Sequence, residues 1–330
     1  MYPYPGLLYS LDPDIKISDL KAKKFEEGRD VSKVIQYLES NNIHMMIDDD
    51  SSYHYKLHTV PSKPYILHYQ WNGDLLNRPI LAIVGPRKPS EYGQKIISEL
   101  LWHLADRDVV TISGLADGID TLVHTLSLQH HIPTIAVLWW GFGHFLRWTK
   151  RNLIQDIVSK GWLVLSEFRI KQTPTPYTFP QRNRIIAGLS NGVFIPEAGH
   201  KSGSLITVQF AMDSKKPIYT VPQSIYAPTS GGTNELLSNR KAIAVTDLMA
   251  WTQQHFTSSI PTSGQIDVDL TVDEKTIYEA IANGSKTLWN MVYLTHLSQQ
   301  TVQVVVSMME IKGLIYQSSP DIYEIGKMIQ

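Results

Sequence analysis

Short, continuous apolar runs alternate along this chain with longer stretches that have helical spacing. The runs are Leu81–Val84, Val109–Ile112, Thr134–Leu138, Leu163–Leu165, Gly192–Ile195 and Pro217–Val221. They are rich in β-branched residues and lack the in/out alternation of a half-exposed strand. That is the pattern of strands covered on both faces, and therefore of a parallel sheet with crossover helices. The first spacer is the clearest helix: Ser90 can cap it, and Ile96, Ile97, Leu100, Leu101 and Leu104 fall on one face. The pattern predicts an α/β fold, a Rossmann-like doubly wound, mostly parallel sheet over residues 75–248. Ligands of such sheets sit beyond the carboxyl ends of the strands, at a topological switch point.

The flanks read differently. Residues 1–74 combine a helical stretch, Val31–Ser40, with aromatic and Pro-containing loops, giving a small N-terminal helical or lead-in region. Residues 249–270 have the Ser/Thr/Pro/Gln composition of a linker. Residues 271–330 read as helix, helix, turn, helix and two short strands, the order of a winged-helix-like module. That module has an apolar set of its own, which includes Ile277, Ile281, Val302 and Met309.

Composition narrows the function. With 330 residues, 43% apolar and 18% charged, the chain has enough for a sizeable core and does not resemble a disordered protein. It has no cysteine, which excludes disulfides, thiol catalysis and Cys-based metal sites. No apolar run is long enough to span a bilayer, and the N-terminus has neither a basic nor an apolar signal segment, so a cytoplasmic protein without membrane contact is expected. Overall the 30 basic and 31 acidic residues nearly cancel. Between Arg78 and Lys216, however, 16 basic residues face 10 acidic ones. This mild excess favours an anionic ligand for the middle of the chain.

Candidate chemistry collects at the predicted strand ends. The first strand runs into Gly85-Pro86-Arg87, which is neither a GxGxxG nor a P-loop, so dehydrogenase-type and P-loop nucleotide binding lose their warrant. Arg87 would still arrive at the ligand edge, where a guanidinium suits bidentate phosphate binding. After the second strand, Ser113-Gly114 opens a Gly-bracketed turn with backbone N–H groups free for an anion, although Asp117 and Asp120 could equally cap the following helix. Residues 168–187 interleave Arg169, Lys171, Arg182 and Arg184 with Tyr177 and Phe179 on a Pro-stiffened segment. Cations for phosphates and rings for bases suit single-stranded nucleic acid. After the fifth strand, Lys201-Ser202-Gly203-Ser204 opens a helix as a cation, hydroxyls and free N–H groups together. No paired carboxylates or metal-binding His pattern appear, so no catalytic residue, metal or cofactor is expected. A lone Glu197 at a strand end could serve as a general base or simply be structural.

These segments, taken together over about residues 45–325, resemble the DNA-processing protein A family (DprA, also called Smf). IVGPRKPSEYG, ISGLADGID, LSEF, FPQRNRIIAGLS, KSGSLIT and GGTNELL stand in that family's order and spacing, and FPQRNRIIAGLS is the most specific of them. The resemblance implies sequence-independent single-stranded DNA binding, a homodimer, and loading of the RecA recombinase, as in natural transformation, without enzymatic activity. The expected DNA site is Arg87, Ser113, Gly114, Phe179, Arg182, Asn183, Arg184, Lys201, Ser202, Gly203 and Ser204. The bases and Ser-Gly turns would meet phosphate and Phe179 would stack on or shape the pocket, while Arg182 and Asn183 could instead form a loop-to-helix network. Three departures stand out. Pro86 replaces the family's usual Ser, Asp117 its usual base, and Trp139-Trp140 a small pair. The competing reading is a nucleotide or nucleoside-phosphate hydrolase of the LOG type, whose Gly-Gly-x-Gly-Thr turn is missing from IPEAGHKSGS.

Overall fold

All six apolar runs become strands in the computed structural model, which describes residues 7, 9–10, 30–48, 53–70, 75–145, 150–258, 271–282, 287–295, 297–312, 314–319 and 322–325. In chain order the central sheet contains β1 (His44–Ile47), β2 (Ile66–Gln70), β3 (Ile80–Ile83), β4 (Val110–Ser113), β5 (Thr134–Val137), β6 (Leu163–Ser166), β7 (Gly192–Ile195), β8 (Ile218–Thr220) and β9 (Ile243–Ala244). Across the sheet the order is β1-β2-β6-β5-β4-β3-β7-β8-β9. From β6 to β9 every pairing is parallel, and β2 joins β6 antiparallel. The fold is therefore the Rossmann-like, mostly parallel α/β sheet that the apolar runs predicted. Its N-terminal hairpin adds an antiparallel edge, so part of the lead-in region belongs to the sheet.

The helices form two layers because each strand buries both of its faces. Among the described residues the sheet is flanked by the α-helices α1 (Ser32–Ser40), α2 (Glu91–Leu104), α3 (Ile119–Gln129), α4 (Phe142–Phe145), α5 (Arg151–Ser159), α6 (Thr178–Leu189), α7 (Ser204–Asp213), α8 (Gly231–Ser238) and α9 (Leu248–His255). On one face Ile185, Ile186 and Leu189 of α6 and Val208 and Ala211 of α7 pack on Ala82, Ile112, Val137 and Ile195. On the other, Ile97, Leu100 and Leu104 of α2, Ile119 and Val123 of α3 and Trp251 of α9 pack on Leu81, Ile83 and Phe194. Ser90 caps α2 as expected, its hydroxyl accepting the Gly93 N–H at 3.1 Å.

Residues 249–255 of the expected linker are helical and belong to α9. Asp247 caps α9 by accepting the Ala250 N–H at 2.9 Å, and Trp251 lies buried beside the Tyr219 ring at 4.9 Å. Within this helix Gln253 and Gln254 are exposed, while Leu248, Trp251 and Thr252 are buried. Residues 259–270 of the expected linker lie outside the described residues, as do 11–29 of the lead-in. The chain divides into two units, Met1–Thr262 and Ser263–Gln330. The second contains α10 (Val272–Ala282), α11 (Leu288–Thr295) and α12 (Gln299–Ile311), followed by the antiparallel pair β10 (Ile315–Ser319) and β11 (Ile322–Ile325). Ile277, Ile281, Val302 and Met309 are buried there in a separate core.

Two histidines are folded into the first unit. His68 shares a 2.8 Å hydrogen bond with Ser10 Oγ, and His124 Nδ1 one of 2.8 Å with Thr134 Oγ1. Burial holds His68 down to about 4 and His124 down to about 3, the latter helped by the Arg182 and Lys150 charges. Both folded-state values lie below that of a free histidine, so each ring binds its proton more weakly in the folded state. Their stability contribution is complete above pH ~6.5 and is lost as pH falls towards the folded values, at up to ~1.4 kcal/mol per pH unit for each ring. Asp120 and Glu167, whose carboxyls burial pushes up, act in the opposite sense. The difference between wild type and His124→Gln isolates one ring. Urea midpoints measured from pH 7.5 to 5 should fall more steeply in the wild type than in the variant, and parallel curves would contradict the assignment.

Candidate nucleic-acid interface

The strand order makes β3 the switch strand, with β4 on one side and β7 on the other. Chain leaving β3 and β7 therefore turns in opposite directions, and a cleft of about 500 Å³ opens between the two loops. Gly85, Pro86 and Arg87 form one wall, and Gly199 and Lys201–Ser204 form the opposite one. Phe179 and Asn183 from the first turns of α6, together with Pro228 and Thr229, add to the lining, which also includes Val84, Ala116, Thr207 and the buried acid Asp120. Of the eleven expected site residues, the cleft thus brings together Arg87, Phe179, Asn183, Lys201, Ser202, Gly203 and Ser204.

Both walls depend on close backbone approach. Gly118 has φ +80° and lies against the Pro86 carbonyl, which accepts the Ile119 N–H at 3.2 Å. A Cβ on Gly85 would come within 2.6 Å of the Ile119 side chain. Pro86 therefore contributes a carbonyl that fastens the Arg87 loop to the start of α3, where the usual Ser would contribute a hydroxyl. On the other wall Ser202 and Ser204 share a hydroxyl contact of 2.7 Å at the start of α7, where the Leu205 and Ile206 N–H groups donate to the Ser202 and Gly203 carbonyls at 3.1 and 3.2 Å. Arg87 and Lys201 are exposed, and among the described residues neither makes an ion pair. The Arg87 guanidinium stands 4.9 Å from the centre of the Phe179 ring.

Four expected residues lie elsewhere. Ser113 is buried and donates its hydroxyl to the Ile83 carbonyl at 2.7 Å, so it ties β4 to β3 and does not face the cleft. Gly114 lies under the Arg182 guanidinium, which occupies the space where a Cβ would be. Arg182 is fully buried, donates to the Val137 carbonyl, and stands 5.4 Å from the Phe179 ring. Burial lowers its pKa to about 10, with Asp120 opposing that shift and Arg87 adding to it. It acts as a fixed positive charge behind the cleft and not as an exposed hydrogen-bonding fork. Arg184 is also buried and is paired with Glu167. The reason is common to both arginines: α6 is enclosed along its length from Arg182 to Leu189, so a segment that reads as a basic loop is an inner helix.

Sequence reasoning left Glu197 undecided, and its surroundings give it a structural task. Its carboxylate accepts the Ser90 N–H at 2.7 Å, the Ser90 hydroxyl at 2.5 Å and the Thr229 hydroxyl at 2.9 Å. It lies against Gly93, where a Cβ would come within 2.6 Å of Glu197 Cδ. One buried acid thus joins the loop that carries Arg87 to the Thr229 wall. The signal available in sequence was Gly93, placed in the first turn of a helix where a larger residue would otherwise be favoured. Asp117, in the loop before α3, is held below the usual carboxylate range chiefly by its hydrogen bond from Lys150, at 2.8 Å, with the Lys150 and Arg87 charges assisting.

A crevice at the switch point of a doubly wound sheet, edged by cations and a helix start and backed by a buried arginine, places this chain among the Rossmann-like α/β proteins. The chain belongs to the DNA-processing protein A (DprA/Smf) family, since the family model described as DNA recombination-mediator protein A matches residues 44–255. It is 39% identical over 188 residues to the DNA processing protein DprA of Streptococcus pneumoniae, covering 57% of this chain and 66% of that one. To DprA of Bacillus subtilis it is 32% identical over 225 residues, with coverage of 68% and 75%. The match to protein Smf of Escherichia coli spans 58% of that relative at 34% identity. Among solved structures, DprA from S. pneumoniae superposes with a TM-score of 0.61 at 30% identity, covering 77% of this chain and 93% of that one. DNA processing protein A from Helicobacter pylori, whose structure concerns that protein's single-stranded DNA binding mode, superposes with a TM-score of 0.57 at 28% identity, covering 64% and 94%.

Proposed function

We propose that this protein binds single-stranded DNA without regard to sequence and does no chemistry on it. The observation that carries this reading is the grouping of charge and ring in the cleft. Arg87 and the buried Arg182 flank one phenylalanine, and Lys201 stands on the opposite wall. An anion would relieve the mutual repulsion of the two arginines, and the ring offers a stacking face that any base can use. The H. pylori relative supports the same ligand class for this chain. Ser113, Gly114 and Arg182 build and charge the site from behind, the lining residues meet the strand, and Arg184 serves the ion pair with Glu167. Glu197 is bound by three donors and lies outside the cleft lining, which leaves the hydrolase reading without its base.

On the same reading the protein works in the cytoplasm, acts as a homodimer, and hands its strand to the RecA recombinase. The C-terminal unit is a protein-contact module of winged-helix type. Its α12 carries no Lys or Arg, which disfavours reading a DNA groove. The test is titration of fluorescent single- and double-stranded DNA of mixed sequence, with the incubated DNA, ATP and nucleoside monophosphates assayed afterwards for products. Single strands of every sequence should bind with similar affinity and more tightly than duplex, and all substrates should remain intact. Preference for duplex, or release of a free base that Glu197→Ala abolishes, would overturn the reading.

A further inference from the structure

Two tyrosines stand just outside the cleft with little protein around them. Tyr177 is 85% exposed and Tyr226 is 90% exposed. Each precedes a cleft-lining residue by two positions, Tyr177 before Phe179 and Tyr226 before Pro228. Those two lining residues mark opposite ends of the Gly199–Ser204 loop. A Cβ on Gly203 would stand 3.4 Å from the Phe179 ring, and one on Gly199 would stand 3.5 Å from the Pro228 carbonyl oxygen. Each tyrosine thus stands two residues along the chain from a lining residue at one end of the Gly199–Ser204 loop.

Both rings ride on fixed turns. Around Tyr177, Thr175 N–H donates to Thr178 Oγ1 at 3.0 Å and Thr178 N–H donates back to Thr175 Oγ1 at 3.2 Å, between Pro174 and Pro180. Around Tyr226, Ala227 N–H donates to the Ser224 carbonyl at 3.1 Å and Tyr226 N–H to Ser224 Oγ at 3.3 Å. The flanks of this second turn are fastened as well, by Gln223 Nε2 to the Pro196 carbonyl and by Ser230 N–H to Ala227 O at 3.2 Å. A large ring held out on an ordered backbone loses little conformational entropy when a partner covers it. Ile225 beside Tyr226 is 79% exposed and enlarges the apolar surface at that end.

We propose that Tyr177 and Tyr226 are stacking platforms for the nucleobases on either side of the cleft-bound nucleotides, so that the strand crosses the Gly199–Ser204 loop from one tyrosine to the other. This extends, and rests on, the single-stranded DNA reading of the cleft. A planar ring next to a phosphate-binding wall matches the repeat of the ligand, where a base hangs from every phosphate. The two positions set a minimum strand length: a strand confined to the cleft meets neither ring, and a longer one meets both.

The test uses the full chain and oligothymidylates of about 3 and about 12 nucleotides, a span that covers common single-strand site sizes. Tyr177→Ala and Tyr226→Ala should each weaken the longer strand by roughly 5- to 100-fold. The same variants should leave the shorter strand unchanged, and Tyr177→Phe and Tyr226→Phe should restore binding of the longer one. Circular dichroism checks that these exposed substitutions leave the fold intact. Unchanged affinity of the Ala variants for the longer strand would overturn the proposal and assign the rings to a protein partner. Equal loss on both lengths would also overturn it, because the tyrosines would then be shaping the cleft. Failure of the wild type to bind either strand would defeat the underlying DNA reading along with this extension.

Discussion

Replacing Arg184 by Leu will destabilise the protein by about 3–5 kcal/mol, the usual cost of leaving one member of a buried ion pair behind. Glu167 and Arg184 are each more than nine-tenths buried and face one another across β6 and α6. Burial already pushes the Glu167 carboxyl up, against the opposing charge and hydrogen bond of Arg184. Without Arg184 the acid can escape only by keeping a proton. A carboxyl with a raised folded-state pKa contributes stability at low pH and loses it as pH rises, so the variant's deficit should grow between pH 5 and pH 8. Removing both charges as Arg184→Leu with Glu167→Leu should recover most of the loss, because a paired buried charge is worth little more than a well-packed apolar pair. Urea unfolding of the wild type, Arg184→Leu, Glu167→Leu and the double variant at the two pH values reads this directly. Additive losses in the double variant would contradict the pairing.

Ending the chain after residue 250 or after residue 262 will give opposite results. A cut at 250 removes Trp251 and Phe256, both buried, the first against Tyr219, Phe194 and His255. Loss of one large buried aromatic side chain typically costs ~3–5 kcal/mol, and two such losses match the entire ~5–15 kcal/mol of an ordinary domain. The longer fragment keeps both, and it also keeps Thr257, whose carbonyl accepts the Asp108 N–H at 2.9 Å. Fragment 1–262 should therefore unfold cooperatively, and the shorter one should not fold. Every cleft-lining residue precedes Ser230, so the longer fragment should bind single strands within about tenfold of the full chain, a difference of ~1.4 kcal/mol. Circular dichroism melts and a binding titration decide both points. A cooperatively folded 1–250 fragment would show that α9 is not part of the core.

The same two regions mark how far the sequence could be read. The strands were legible because a doubly covered sheet demands uninterrupted apolar runs, and Leu81–Val84 or Gly192–Ile195 can hardly be anything else. The cleft was legible because Gly-bracketed turns after apolar runs, with Arg87 and Lys201 nearby, have few other uses. Arg182 and Arg184 were placed in the right region but assigned to the wrong surroundings. Glu167, the ion-pair partner of Arg184, and Asp120, whose charge acts on Arg182, lie 17 and 62 residues away, so no local window shows either acid. The available hint was the uninterrupted Ile185-Ile186-Ala187-Gly188-Leu189 that follows, which marks an inner helix. In α9 four polar residues stand beside four apolar ones, and the buried residues are only Leu248, Trp251 and Thr252, a pattern that periodicity reads weakly.

The central claim is that Arg87 and Lys201 hold the phosphates of a single strand in the switch-point cleft. The measurement that tests it most directly is the salt dependence of single-strand affinity for the wild type and for the variant carrying Arg87→Ala with Lys201→Ala. Each phosphate contact releases counterions and contributes ~0.7 to the slope of log affinity against log salt for single strands. The double variant should bind every sequence more weakly, and its slope should be shallower by about 1.4. An affinity and a slope that both match the wild type would place the DNA elsewhere on the protein.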